Sequence, residues 1–159
     1  MHPDYLETLL LYYEEEIEGE AYFAELAGAF DDQAHRDKLT LLARVERHAA
    51  EAVTPLIARH GLTPRDTAAL VASGQAEARA TAADWPALLA EMTESYPGYL
   101  RDFRALEAMG PPADRARLSF LSAHEVAALA FLAREATDPD QSAAPLRDYI
   151  ATAPDTLVG

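Results

Sequence analysis

Ionisable side chains centred on apolar stripes are the part of this sequence with the means to do chemistry. In Glu16-Ile17-Glu18-Gly19-Glu20-Ala21-Tyr22-Phe23, at about 100° per residue, Glu20 falls in the middle of a stripe formed by Leu6, Leu9, Tyr13, Ala24 and Ala27. Glu16 stands one turn earlier on the same face. Glu46 shares an arc with Leu39, Leu42, Val53 and Ile57, and Leu118, Leu121, Leu129 and Leu132 all lie within about 40° of Glu125. An ionised carboxylate in an apolar interior is costly unless it is paired, protonated or bound to a metal. Carboxylates converging from three helices are therefore either a cation site or a polar layer held by protons or arginines.

Composition narrows the choice of cation. The 159 residues include no cysteine, so a metal site would depend on carboxylate and imidazole, and iron, manganese and related harder ions lead the list. The net charge of −14 repels phosphate backbones and makes nucleic acid an unexpected partner. Met1-His2-Pro3-Asp4 has no basic n-region, and no run approaches the roughly 18 apolar residues of a membrane span. The expected setting is cytoplasmic, with no membrane partner.

The elements that must position these residues are four long amphipathic helices in one domain, residues 1–159. The spacing predicts the first over about 3–30, ended by Asp31-Asp32, and the second over about 33–60, stopped by Gly61 at the position after the helix where glycine is favoured. So short a link makes the two antiparallel. Thr63-Pro64-Arg65-Asp66 opens a short crossover helix that Ser73-Gly74 is expected to interrupt. Asp84 caps a third long helix, which runs to about Met109 with a kink expected at Tyr96-Pro97-Gly98. After Gly110-Pro111-Pro112 the fourth covers about 114–136, and a short terminal helix spans about 142–152. Glu91 and Glu94, at the edge of the third helix's stripe, read as solvated.

Short, long and short connections between four helices are the pattern of a ferritin-like bundle. With EGEAYF on the first helix, LARVERHAAEAVTPLIARHGL on the second and SAHEVAALAFLARE on the fourth, the chain resembles the ferritin-like superfamily of carboxylate-bridged di-iron proteins, which includes rubrerythrins and ferritins. The resemblance implies an all-α, up-down-down-up four-helix bundle with a long crossover and a short C-terminal helix. It also implies that Glu20, Glu46 and Glu125 are metal ligands, with Glu16 as a fourth candidate. The chain departs from the family where each Glu-x-x-His motif would end, because Ala49 and Ala128 occupy those places. His48 and His124 are turned about 200° and 100° from the neighbouring glutamates, so neither replaces a missing ligand without helix distortion. His124 is left as a ligand from an adjacent face, a partner behind the ligands, or a half-buried histidine.

Two function classes follow. One is a metalloprotein holding one or two iron or manganese ions, with redox chemistry toward dioxygen or peroxide. The other is a metal-free bundle, with Arg44, Arg47 or Arg117 as countercharges, acting as a binding or interaction module. Either is compatible with a homodimer, and the sequence names no organic substrate.

Overall fold

The computed structural model describes residues 1–154, all helix, turn and loop with no strand among them. Six α-helices follow one another: α1 Tyr5–Ala27, α2 Gln33–Arg59, α3 Thr67–Arg79, α4 Trp85–Met109, α5 Arg115–Thr137 and α6 Ala144–Ala151. Single 3₁₀ turns lead into α5 and follow it. Local chemistry sets the boundaries. Asp32 accepts hydrogen bonds from the backbone N–H of Ala34 and His35 to start α2, and Asp84 accepts from Ala87 to start α4. Gly61, past the end of α2, has φ +64°, a conformation that costs glycine little.

α1 lies against α2 and α3 and touches α4, while α5 lies against α4, α2 and α6. The faces that meet are the apolar stripes. Leu9, Leu26, Leu39, Leu56, Leu106, Leu118, Leu121 and Phe131 are all essentially inaccessible. Each such side chain contributes about 1.5–3 kcal/mol by leaving water, which is the reserve against which buried charge is set.

Two polar nodes tie the helix ends. In the first, the fully buried Asp114 just before α5 accepts from the Tyr5 hydroxyl at 2.7 Å and pairs with Arg59 at 2.5 Å and His60 at 2.8 Å. Close by, the backbone N–H of His2 donates to the Met109 carbonyl. In the second, Glu135 near the end of α5 pairs with Lys38 at 2.8 Å and accepts from the Trp85 indole at 3.0 Å, and His35 stacks on that indole. The first node thus gathers the starts of α1 and α5 and the end of α2. The second gathers the starts of α2 and α4 and the end of α5.

Two expectations change. α3 continues through Ser73-Gly74 without interruption. Gly74 is where α3 meets α1: a Cβ there would lie 2.2 Å from the Glu18 carbonyl oxygen, so glycine serves close approach and not a break. Finally, Pro112–Thr137 is long and apolar enough to cross a membrane by length and composition, contrary to the reading that no run approaches that size. Its apolar side, Leu118, Leu121, Phe131 and Leu132, is packed inside the protein.

Candidate metal centre

The packing of α1, α2 and α5 brings four of the sequence-derived residues together and leaves one aside. Glu16 on α1, Glu46 on α2, and His124 and Glu125 on α5 converge on His124 Nε2. It lies 3.1 Å from Glu16 Oε1, 3.0 Å from Glu125 Oε1 and 3.5 Å from Glu46 Oε2. Glu16, His124 and Glu125 are 3%, 1% and 4% exposed. Ligand atoms from these three lie within 4.8 Å of one another.

Glu20 departs from expectation. Its side chain is one-third exposed and sits 3.5 Å from Arg47, which also pairs with Glu51. Glu16 and Glu20 differ by only about 40° around α1 but by about 6 Å along it. The converging side chains of α2 and α5 lie at the level of Glu16. The inward carboxylate of α1 is therefore Glu16.

His124 joins the cluster from the residue beside Glu125, the adjacent-face position that had been left open for it. Its Nδ1 bonds the Leu121 carbonyl one turn back, and since a carbonyl can only accept, Nδ1 carries the proton and Nε2 is left facing the carboxylates. The ring is held edge-on against Phe103 at 5.0 Å. Tethering back to the preceding turn is how the imidazole crosses the angle that a helical projection places between residues 124 and 125. Gly19 makes the matching accommodation on α1. A Cβ there would lie 3.1 Å from the Glu46 carboxyl carbon, so its absence lets Glu46 reach across.

Although close, these groups do not satisfy one another. Glu16 Oε2, His124 Nε2 and Glu125 Oε2 are buried and have no hydrogen-bond partner among the described residues, a condition that costs about 1–3 kcal/mol per group. Two ligand atoms about 2.1 Å from one shared ion, at angles of about 90–109°, lie about 3.0–3.4 Å apart. The Nε2–oxygen spacings of 3.0 to 3.5 Å match that pattern. Three carboxylates and one imidazole, without thiolate, form a donor set that fits iron, manganese or another hard-to-borderline divalent ion.

Protons can also hold the cluster. Burial alone would lower the His124 pKa, but the Glu16 charge and the nearness of the Glu125 and Glu16 carboxylates outweigh it and push the imidazole well above its ordinary value. Burial would raise Glu16, yet the His124 charge and the closeness of Glu46 and His124 hold it below the usual carboxylate range. Burial, then the charge of Glu16 and the hydrogen bond with it, drive Glu46 well up. Protons on Nε2 and on Glu46 supply two positive charges, the same charge as one divalent cation. The expected arginine countercharges go elsewhere: Arg44 is exposed, Arg47 is on Glu20, and Arg117 donates to the Ala52 carbonyl.

A cavity of ≈400 Å³ opens onto the cluster, with Glu16, Glu46 and Glu125 among its lining. Tyr96 of α4 lines it too. Burial, and then the charges of Glu46, Glu125 and Glu16, push its phenol well above the ordinary value. Tyr96 meets the cluster through its position across the bundle, which single-helix periodicity does not report.

No protein-family model, no curated protein and no solved structure matches this chain.

Proposed function

We propose that the chain is a ferritin-like metalloprotein in which Glu16, Glu46, His124 and Glu125 bind iron or manganese between four long helices. The observation that carries the reading is the set of buried, unpartnered ligand atoms facing one another beside a histidine whose Nδ1 is tied to a carbonyl. Such an outer hydrogen bond orients a ligating imidazole and raises its basicity. The two end nodes support the up-down-down-up arrangement, with α3 as the long crossover and α6 as the short C-terminal helix. One imidazole and three carboxylates suit a single divalent ion better than two. Glu20, already paired with Arg47, is left out of the set.

In that role the ion supplies one-electron redox chemistry toward dioxygen or peroxide. The protein's own groups bind the ion, keep Nε2 aimed at it through Leu121, and shield it with Phe103 and Leu121. Tyr96 offers a hydroxyl on the cavity side. A cytoplasmic setting goes with this reading, because the apolar side of α5 is satisfied within the fold.

Metal analysis of protein purified without chelator, with anomalous scattering at the cluster, tests the assignment. About one ion per chain, lost in Glu125→Gln, is expected. An ion-free protein that also fails to take up iron or manganese on anaerobic addition would overturn it. With ferrous iron loaded, dioxygen consumption faster than by free iron is the further expectation for oxygen chemistry.

A second reading is favoured by the proton balance. With His124 as imidazolium and Glu46 protonated, the cluster persists without metal as a polar layer, and the bundle acts as a binding or interaction module.

A further inference from the structure

The metal reading uses only the floor of the ≈400 Å³ cavity. An ion fills a small part of such a volume, since even a water molecule's share of the liquid is about 30 Å³. Pockets for organic ligands run from about 300 to 1,000 Å³. Above the floor the walls are Tyr22, Leu88, Met92, Tyr96 and Phe103, with Tyr99 at the edge, half exposed. The rings of Tyr96 and Tyr99 stand 5.4 Å apart and tilted by 52°, presenting angled faces and not a closed stack.

The mouth is acidic. Glu15, Glu77 and Glu91 are exposed there, and no lysine, arginine or histidine lines the cavity. None of the three is in an ion pair among the described residues, unlike Glu18 on the same rim, which is engaged by Arg65 and Ser73. The unpartnered oxygens of Glu16 and Glu125 face the same space from below.

We propose that this cavity is a binding chamber for a small organic cation bearing an ammonium head, held by tyrosine and phenylalanine faces within an acidic mouth. Aromatic faces attract a cation through their quadrupole, most strongly where water is displaced, and carboxylates with low-dielectric walls concentrate positive charge at an opening. An anionic ligand meets only repulsion there, and a neutral one forgoes both terms. The inference goes beyond the metal site and does not rest on it.

Choline and its uncharged carbon isostere 3,3-dimethylbutan-1-ol differ only in the charge of the head group, and the quaternary nitrogen has no lone pair to give a metal. Their affinities are compared by titration calorimetry at low salt, on chelator-treated and on manganese-loaded protein. Choline is expected to bind about fivefold tighter or more. Glu77→Gln with Glu91→Gln, both exposed, cuts that preference about threefold. Tyr96→Leu reduces it while sparing the isostere. Equal affinities, or no binding of either probe, would overturn the proposal. So would a preference that ignores the mouth substitutions and disappears on metal loading, since the vacant carboxylates alone would then be recognising the cation. Persistent preference in a protein that takes up no metal supports the chamber and removes the metal reading instead.

Discussion

The same substitution, glutamate to glutamine, has opposite expected consequences at residues 125 and 20. Glu125 Oε1 lies 3.0 Å from His124 Nε2 in a buried cluster, whereas Glu20 is one-third exposed beside Arg47. A ligand that binds only the folded state stabilises it by RT ln(1 + [L]/Kd), about 2.7 kcal/mol at a hundredfold excess over Kd. For a chain of this size that raises Tm by about 5–10 °C. If Glu125→Gln weakens metal binding a hundredfold, the same free metal concentration only equals the new Kd, and the linkage term falls to about 0.4 kcal/mol. The metal-dependent rise then shrinks to about 1–2 °C. Glu20→Gln should leave the full rise in place. The assay is thermal unfolding of wild type and both variants, each with chelator and with manganese. Reading the difference within each variant removes whatever the substitution does to the metal-free fold. A Glu20→Gln protein that loses its metal response would refute the assignment of Glu16 over Glu20 as the inward carboxylate of α1, and a Glu125→Gln protein that keeps it would refute Glu125 as a ligand.

Three further outcomes test the frame that holds the cluster. Asp114→Asn removes the fully buried acceptor shared by Tyr5, Arg59 and His60 and should cost about 2–4 kcal/mol in urea unfolding at neutral pH. Despite its burial, hydrogen bonds from His60 and Tyr5 and the charges of His60 and Arg59 hold the Asp114 carboxyl below its ordinary value. Its stabilisation is therefore present above the unfolded-state pKa and lost as pH falls through the folded one. Wild type should lose its margin over the Asn variant in acid, and a margin unchanged between pH 7 and 3 would contradict this. Gly74→Ala forces a Cβ toward the Glu18 backbone oxygen and should cost about 1–3 kcal/mol. Gly98→Ala, whose Cβ meets only the end of Arg101 at 3.5 Å, should gain about 0.5–1 kcal/mol from helix propensity, and equal effects at the two glycines in urea melts would count against the α1–α3 contact.

How far the sequence carried the site depends on which kind of distance each inference needed. Helix limits came within a few residues, because caps such as Asp84 and the turn at Gly61 are local. Glu46 and Glu125 were placed inward by periodicity, which reports direction around a helix. The choice between Glu16 and Glu20 was decided along the axis, where partners on α2 and α5 set the level and one helix contains no information about it. His124 was left between ligand, partner and half-buried histidine because a projection treats each side chain as a fixed spoke, and the bond to the Leu121 carbonyl bends that spoke. A histidine followed by an inward glutamate on a buried helix was the available signal. The Asp114 and Glu135 nodes were missed for a related reason: each joins residues from several helices and leaves no periodic mark on any of them.

The departure from Glu-x-x-His also bears on what the centre can do. Paired motifs on two helices supply two imidazoles on opposite sides of a site, enough to give each of two ions its own nitrogen. Here α2 supplies Ala49 at that place, and α5 supplies Ala128, with His124 on the other side of Glu125. One nitrogen and three carboxylates leave a charge of −3 when His124 is neutral and Glu46 has lost its proton, and one divalent ion reduces it to −1. A second divalent ion would bring it to +1 beside His124 with no further carboxylate at its level, since Glu20 is already turned to Arg47. Under the metal reading proposed above, charge and ligand supply both favour a single ion held by Glu16, Glu46, His124 and Glu125, with Tyr96 lining the cavity onto which the three carboxylates open.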